Sequence, residues 1–338
     1  MKTILVTGGT GFIGSHTVVE LLNEGYEVVI VDSLVNSKIV VLDRIQTITN
    51  KRPIFYRFDL REEDKLKEVF QKHNIDVVIH FAGLKAVGES VLKPKLYFDN
   101  NVGSSITLLK VMKEHNVKNI IFSSSATVYG EPDRVPLYED DSIKDATNPY
   151  GQTKIEIEKL LSSAYEEDKD MNIVILRYFN PIGAHPSGLI GEDPNDIPNN
   201  LMPYITQAAI KKREFLTVHG DDYKTHDGTG VRDYIHVVDL AKGHLASLKP
   251  IKEKQGYKVY NLGTGKGTSV LDLVFAFEKV NKVKIPYFIG PRREGDIDEN
   301  YANVDKAKIE LNWQAHLTIE DCCLDAWTFQ KKNPHGYK

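Results

Sequence analysis

Up to about residue 180, short β-branched apolar runs alternate with stretches whose apolar positions recur every three or four residues. That alternation is the signature of parallel strands joined by covering helices. Strands are expected at 2–7, 27–31, 54–58, 76–81, 119–123 and 172–178, each an apolar core bounded by polar residues or glycine. The fold class is therefore α/β, a doubly wound parallel sheet over residues 1–180. Beyond Pro181 the pattern loosens into a loop rich in Gly, Pro, Asn and Asp at 181–203, then mixed helices and short strands. Residues 181–338 read as a smaller mixed α/β lobe. Its later helices, near 238–248 and 270–280, are placed to pack back on the first lobe.

Composition narrows the classes without naming one. With 338 residues, 41% hydrophobic and 27% charged, the chain can bury a large core. A formal charge of −4 with mixed signs provides no basic field for nucleic acid or an anionic membrane. No apolar run reaches the roughly eighteen residues of a membrane span, and the first residues run into a strand, so a cytoplasmic protein is expected. The two cysteines, Cys322 and Cys323, are adjacent and have no metal-ligand spacing, and are expected as packed thiols on a C-terminal helix. The histidines, His80 included, show no such spacing either, and no metal site is expected.

Chemistry enters directly after the first strand. Residues Thr7 to Gly14 satisfy GxGxxG through Gly9, Gly11 and Gly14, and Gly8 adds a second spacing of three. The motif follows a strand and opens a helix with Val18, Leu21 and Leu22 on one face, the setting in which backbone amides hold a pyrophosphate in a Rossmann-like domain. Asp32 closes the second strand and is placed to accept hydrogen bonds from the adenine ribose hydroxyls. Its charge repels a 2′-phosphate and Ser33 follows it, so NAD is expected over NADP. Asp59 follows the third strand. Ala82 and Gly83, after the fourth, let a ligand approach the backbone beside the charge of Lys85.

Tyr150 and Lys154 stand four apart on an expected helix, downstream of a serine run, Ser123 to Ser125. Positions i and i+4 share a face, so the ammonium is placed to favour the ionised phenol. Bringing a phenol from about pKa 10 to neutrality requires about 4 kcal/mol from nearby positive charge. Lys154 and a cationic cofactor together are the expected source.

The glycine turn, Asp32, the serine ending the fifth strand and YxxxK together resemble the extended short-chain dehydrogenase/reductase family. Longer stretches narrow the resemblance: Phe81 to Ser90, Ser123 to Gly130, Leu176 to Pro186, Asn199 to Pro203, Gly228 to His236 and Arg292 to Asp296 resemble the UDP-glucose 4-epimerases within it. The resemblance implies reversible, NAD-dependent epimerisation at C4 of UDP-hexoses through a transient 4-keto sugar, with NAD tightly bound and regenerated at each turnover. It implies catalytic roles for Ser125, Tyr150 and Lys154. It implies cofactor contacts from Gly8, Gly11, Phe12, Ile13, Gly14, Asp32, Ser33, Asn36, Ser37, Asp59, Leu60, Phe81, Ala82, Gly83, Leu84, Lys85, Asn100, Ser123 and Tyr178, besides Tyr150 and Lys154. It implies substrate contacts from Lys85, Ser125, Tyr150, Asn180, Asn200, Leu201, Thr217, Val218, His219, Arg232, Arg293, Asp296 and Asn300. In relatives a position shortly after Arg-Glu-Gly-Asp gates room for an N-acetyl group, and counting from Asp296 puts it at Asn300. The small side chain is then expected to admit UDP-GlcNAc and UDP-GalNAc.

Two rivals use the same residues. A nucleotide-sugar dehydratase or decarboxylase on this scaffold shares NAD, Tyr150 and Lys154, but related dehydratases carry an Asp-Glu pair where this chain has Ala126-Thr127. A non-catalytic NAD-sensing module has no need of an intact Ser125, Tyr150 and Lys154. Relatives suggest a homodimer, and apolar residues on helices at 93–114 and 150–165 are the expected contact.

Overall fold

A computed structural model describes residues 2–195, 198–293 and 295–337. Its centre is a sheet of seven parallel strands: β1 (Thr3–Thr7), β2 (Glu27–Asp32), β3 (Ile54–Arg57), β4 (Val77–His80), β5 (Asn119–Ser125), β6 (Asn172–Tyr178) and β11 (Tyr257–Leu262). Their order across the sheet is β11-β6-β5-β4-β1-β2-β3. Side chains alternate between the faces and helices cover both, which is why the inner strands β1, β2, β4, β5 and β6 read as nearly unbroken apolar runs. Ile4, Val6, Val28 and Ile30 join Val18, Leu21 and Leu22 of the helix Phe12–Asn23 on one side. Leu5, Val29 and Val31 join Leu66, Val69 and Leu108 on the other.

The first six strands lie where the pattern put them. The seventh does not: β11 comes from far beyond residue 180 and pairs with β6, from Tyr257 opposite Ile173 to Leu262 opposite Tyr178. It is an edge strand whose first three residues are only partly buried, and Lys258 reaches out to Glu310, so its composition carries no continuous apolar run. The helix Val237–Ala246 also returns, packing on Phe12–Asn23.

The rest of the second half builds small strand pairs. β7 (Asn180–Ile182) pairs with β10 (Tyr234–His236), and β8 (Leu216–His219) with β13 (Tyr287–Gly290). β9 (Val231–Arg232) lies between β12 (Thr268–Ser269) and β14 (Glu299–Asn300). Beneath them the helices Leu201–Ala209, Val270–Asn281 and Ile319–Lys332 enclose a third core that includes both cysteines. Burial raises both thiols, Cys323 to about 12, which fits packed and unreactive groups. Among the described residues no helix is long and apolar enough to cross a membrane.

Strand order reverses between β1 and β4, so their following segments diverge and open a crevice at the carboxyl ends of the sheet.

Candidate active site

The glycine turn forms the floor of that crevice. Gly8 has φ +72°, and a Cβ there would lie 2.8 Å from the Ala82 nitrogen; a Cβ on Gly14 would lie 2.3 Å from the Gly8 oxygen. Only glycine permits this approach of turn, strand and helix. No side chain caps the helix that begins at Phe12, so the N–H groups of its first turn remain for an anion. Asp32 accepts from the Thr10 and Leu34 nitrogens at 3.1 and 2.9 Å, which fixes its carboxylate at the crevice. Every residue expected to hold the dinucleotide, from Gly8 through Tyr178, lines one cleft of about 580 Å³.

Ser125 ends β5, and its Oγ accepts from the Thr127 nitrogen at 3.2 Å, capping a short 3₁₀ turn. Opposite it begins the helix Pro149–Glu167. Asn148 caps this helix by accepting from the Gly151 nitrogen at 2.9 Å, and Pro149 fits the first turn, where a missing N–H costs nothing. Tyr150 is thereby set in the first turn, bonded to Ser125, with Lys154 one turn on. Asn180 and Asn200 line the same cleft.

Lys154 is 6% exposed, and its Nζ donates to the Ser123 oxygen at 2.7 Å, 5.8 Å from the centre of the Tyr150 ring. This alters the expectation for the phenol. Burial pushes Tyr150 up to about 12 against the lowering effect of the Ser125 hydrogen bond. Burial also pulls Lys154 down to about 8, opposed by the charge of Glu158. Desolvating a phenolate outweighs what this lysine supplies, because the ammonium is directed at a carbonyl and not at the phenol oxygen. His80 is a structural group, held between Thr7 and Ser105 at 2.7 and 2.9 Å and lowered to about 3 by burial and then by Lys154.

The remaining substrate candidates form a separate group outside the cleft lining. Arg232 is paired with Asp296, and its other nitrogen donates to its own Val231 oxygen at 2.7 Å. His219 Nδ1 lies 3.2 Å from the Pro291 oxygen, and Tyr223 donates to Asp296 at 3.2 Å. Thr217 and Leu201 are partly buried, and Arg293 is exposed; Glu294, inside the motif Arg292 to Asp296, lies outside the described residues. Val218 is 1% exposed and belongs to the third core, which leaves only its backbone to a ligand. Asn300 is buried on β14 opposite Arg232, and its Oδ1 has no hydrogen-bond partner.

Sequence reasoning missed several groups in the cleft wall. Arg61 is one: it engages the expected Asp59 at 2.7 Å, and its hydrogen bonds hold that carboxyl below the usual range. Glu192 accepts from Lys85 at 2.9 Å and Asn200 at 2.7 Å, while Asp193 pairs with Lys38 at 2.5 Å. These two acids belong to the 181–203 loop, whose composition announced a loop but not where it lies.

Residues 4–263 match the profile of the NAD dependent epimerase/dehydratase family. The chain belongs to that family. NAD is the family's cofactor, and the close-approach glycines, the uncapped helix and Asp32 fit it. The chain is 54% identical over 335 residues to the UDP-glucose 4-epimerase of Bacillus subtilis, covering 99% of this chain and 98% of that one. It is similar to the solved UDP-glucose 4-epimerase from Bifidobacterium longum in complex with NAD+ and UDP, at TM-score 0.96 and 55% identity over 99% and 100% of the two chains. It is also similar to the UDP-Glc/GlcNAc 4-epimerase from Campylobacter jejuni, at TM-score 0.85 and 32% identity over 98% and 100% of the chains.

Proposed function

We propose that this member of the family inverts C4 of UDP-hexoses, interconverting UDP-glucose and UDP-galactose through a transient 4-keto sugar. The observation that carries the reading is the meeting of Ser125, Tyr150 and Lys154 with Asn180 and Asn200 in one cleft with the dinucleotide turn. NAD, held by the residues around the glycine turn, would supply a reversible acceptor for the C4 hydride.

The chain's own residues move the proton. Tyr150 takes it from the 4-hydroxyl and later gives it back, with Ser125 bonded to the phenol and to the sugar oxygen. Lys154 and Tyr178 hold the nicotinamide end, while Asp32, Ser33, Asn36 and Ser37 hold the adenosine end. Binding energy is concentrated on the uridine diphosphate, which leaves the hexose free to turn. Arg232 and Arg293 serve that grip, since a guanidinium pairs with a diphosphate in a way that lysine does not. The uracil lies beside Thr217 to His219, and Asp296 exchanges its arginine partner for a ligand hydroxyl. Residues 1–180 hold NAD and 181–338 the UDP-sugar, with β11 and the helix Val237–Ala246 completing the first unit.

Asn300 extends the substrate range to UDP-GlcNAc and UDP-GalNAc; the similarity to a relative named for both sugar types favours this. The protein works in the cytoplasm as a homodimer. Large exposed apolar side chains cluster at Val87, Val91, Leu92 and Leu96, with Ile106 nearby in sequence, and none lies on Pro149–Glu167, whose apolar residues turn to the core. The exposed side chains at Leu96 and Ile106, with Val91 and Leu92 just before them, favour the expected 93–114 helices as part of the dimer contact. The dehydratase reading is disfavoured by Ala126, a buried methyl group, and Thr127, neither of which is an acid.

Incubating the purified protein with each of the four UDP-sugars, while recording absorbance for bound NADH, tests the proposal. Interconversion without stoichiometric NADH release is expected; release of NADH with turnover would overturn it.

A further inference from the structure

Behind Lys154 stands a buried polar unit that none of the steps above uses. Glu158 lies one turn beyond Lys154 on the same helix face, and Arg177 reaches it from β6. Their side chains are 3% and 5% exposed. The pair is bidentate: Arg177 Nε donates to Oε1 at 3.1 Å and Nη2 to Oε2 at 2.7 Å. Ser124, between the two serines that touch the site, donates its hydroxyl to the same Oε1. Arg177 Nη1 donates onward to the Tyr129 hydroxyl at 3.2 Å and the Glu139 oxygen at 3.1 Å. Tyr129 in turn donates to Asn261 on β11 at 2.6 Å.

Two buried cations thus share one carboxylate: Arg177 through direct hydrogen bonds, and Lys154, whose Nζ is bonded to the Ser123 carbonyl, through its charge one helical turn away. Burial opposes the charge on Arg177, and the hydrogen bonds and charge of Glu158 more than offset it. The groups facing Lys154 are few. Tyr150 and Glu158 come from its own helix, the Ser123 carbonyl and Phe122 ring from β5, and His80, a neutral imidazole, from β4. From β6, Tyr178 meets the same serine, Ser123, through its hydroxyl. Of these, Glu158 alone offers Lys154 a negative charge at neutral pH. Stability does not require the arrangement, since a buried ion pair is commonly replaced by apolar residues at no loss.

We infer that Glu158, clamped by Arg177 and Ser124 one turn beyond Lys154, is a positioning residue that ties the tyrosine helix to the β5 end holding Lys154 and sustains the ammonium's charge for proton transfer at Tyr150. The inference rests on the proposed function for its kinetic consequence but not for its chemistry. Lys154 loses its proton as pH rises, so the Glu158 charge one helical turn away moves the alkaline limit of turnover upward.

The test is the Glu158→Gln variant, with Glu158→Leu/Arg177→Met as a second variant that removes both charges and keeps apolar bulk. In each, kcat for UDP-galactose is expected to lose its alkaline limb at least one pH unit earlier, about tenfold at a fixed pH on that limb. KM should stay within about twofold. The Lys154 titration is read separately from 13C-labelled lysine, its signal identified by its loss in Lys154→Met. It should move down in step with the kinetic limb. A folded variant whose kinetic limb and lysine signal both remain at the wild-type pH would overturn the inference and leave Glu158 a structural tie. Absence of wild-type activity on any UDP-sugar would overturn the proposed function instead, with the lysine titration still deciding the role of Glu158.

Discussion

The cleft around Tyr150 and the proposed substrate group outside it are built in opposite ways. Around Tyr150, the charged groups Lys154, Glu158 and Arg177 are at most 6% exposed and are tied across β5, β6 and the tyrosine helix. In the outer group, Arg232 and Asp296 have side chains 17% and 30% exposed, and Arg292 is 37% exposed where it meets Asp222. A buried pair leaves an uncompensated charge when one partner is removed, about 3–5 kcal/mol, whereas an exposed pair is worth about 0–1 kcal/mol. The contrast suits a division of labour. Proton transfer needs fixed geometry, and a grip on a diphosphate needs cations whose present partners are easily exchanged.

The comparison breaks most visibly at the phenol. Tyr150→Phe is expected to lower kcat by about 10²–10⁴-fold while the protein still binds NAD. UDP-galactose turnover and the bound-cofactor spectrum check it, and full epimerisation would refute the base. Breaking the buried unit comes next: Arg177→Met alone is expected to lose about 3–5 kcal/mol in urea unfolding. Arg232→Ala should do the reverse, changing stability by less than about 1 kcal/mol while KM for UDP-galactose rises about tenfold or more. A stability loss for Arg232→Ala matching that of Arg177→Met would erase the distinction between the two groups.

Acid sharpens the same contrast. Burial lowers His16 and His80 to about 3, so both fold neutral and must charge on unfolding. Their stabilising effect is complete above about 6.5, the ordinary value, and declines as pH falls toward about 3. Each contributes a slope of about 1.4 kcal/mol per pH unit in that window. Urea unfolding from pH 7 to 5 reads it, and a His80→Asn variant should show the smaller slope. The narrowest effect is at the sugar: Asn300→Tyr should abolish turnover of UDP-GalNAc and spare UDP-galactose. Wild-type inactivity on UDP-GalNAc would end that claim.

How much was legible depended on whether a residue's role is local. The inner strands β1, β2, β4, β5 and β6 announced themselves because burial on both faces demands contiguous apolar runs, and the edge strand β3 through its short β-branched and aromatic run. β11 stayed hidden because its half-exposed start carries Lys258 and its buried end carries Asn261, a polar residue whose side chain is satisfied by Tyr129 and Leu137 from distant segments. Nothing in the sequence joins Glu158 to Arg177, nineteen residues on, and only the packing of the tyrosine helix on β6 makes them one buried pair. Glu192 was read as part of a polar loop, yet it meets Lys85 across more than a hundred residues.

The sequence by itself determined the doubly wound sheet, the dinucleotide turn and the Tyr150–Lys154 spacing, because strand period, glycine conformation and helical pitch are short-range properties. Tertiary structure alone decided the environment of those residues. Desolvation and the direction of a hydrogen bond depend on every element packed around a group, and they turned the lysine toward Ser123, raised the phenol and put Glu158 behind them both.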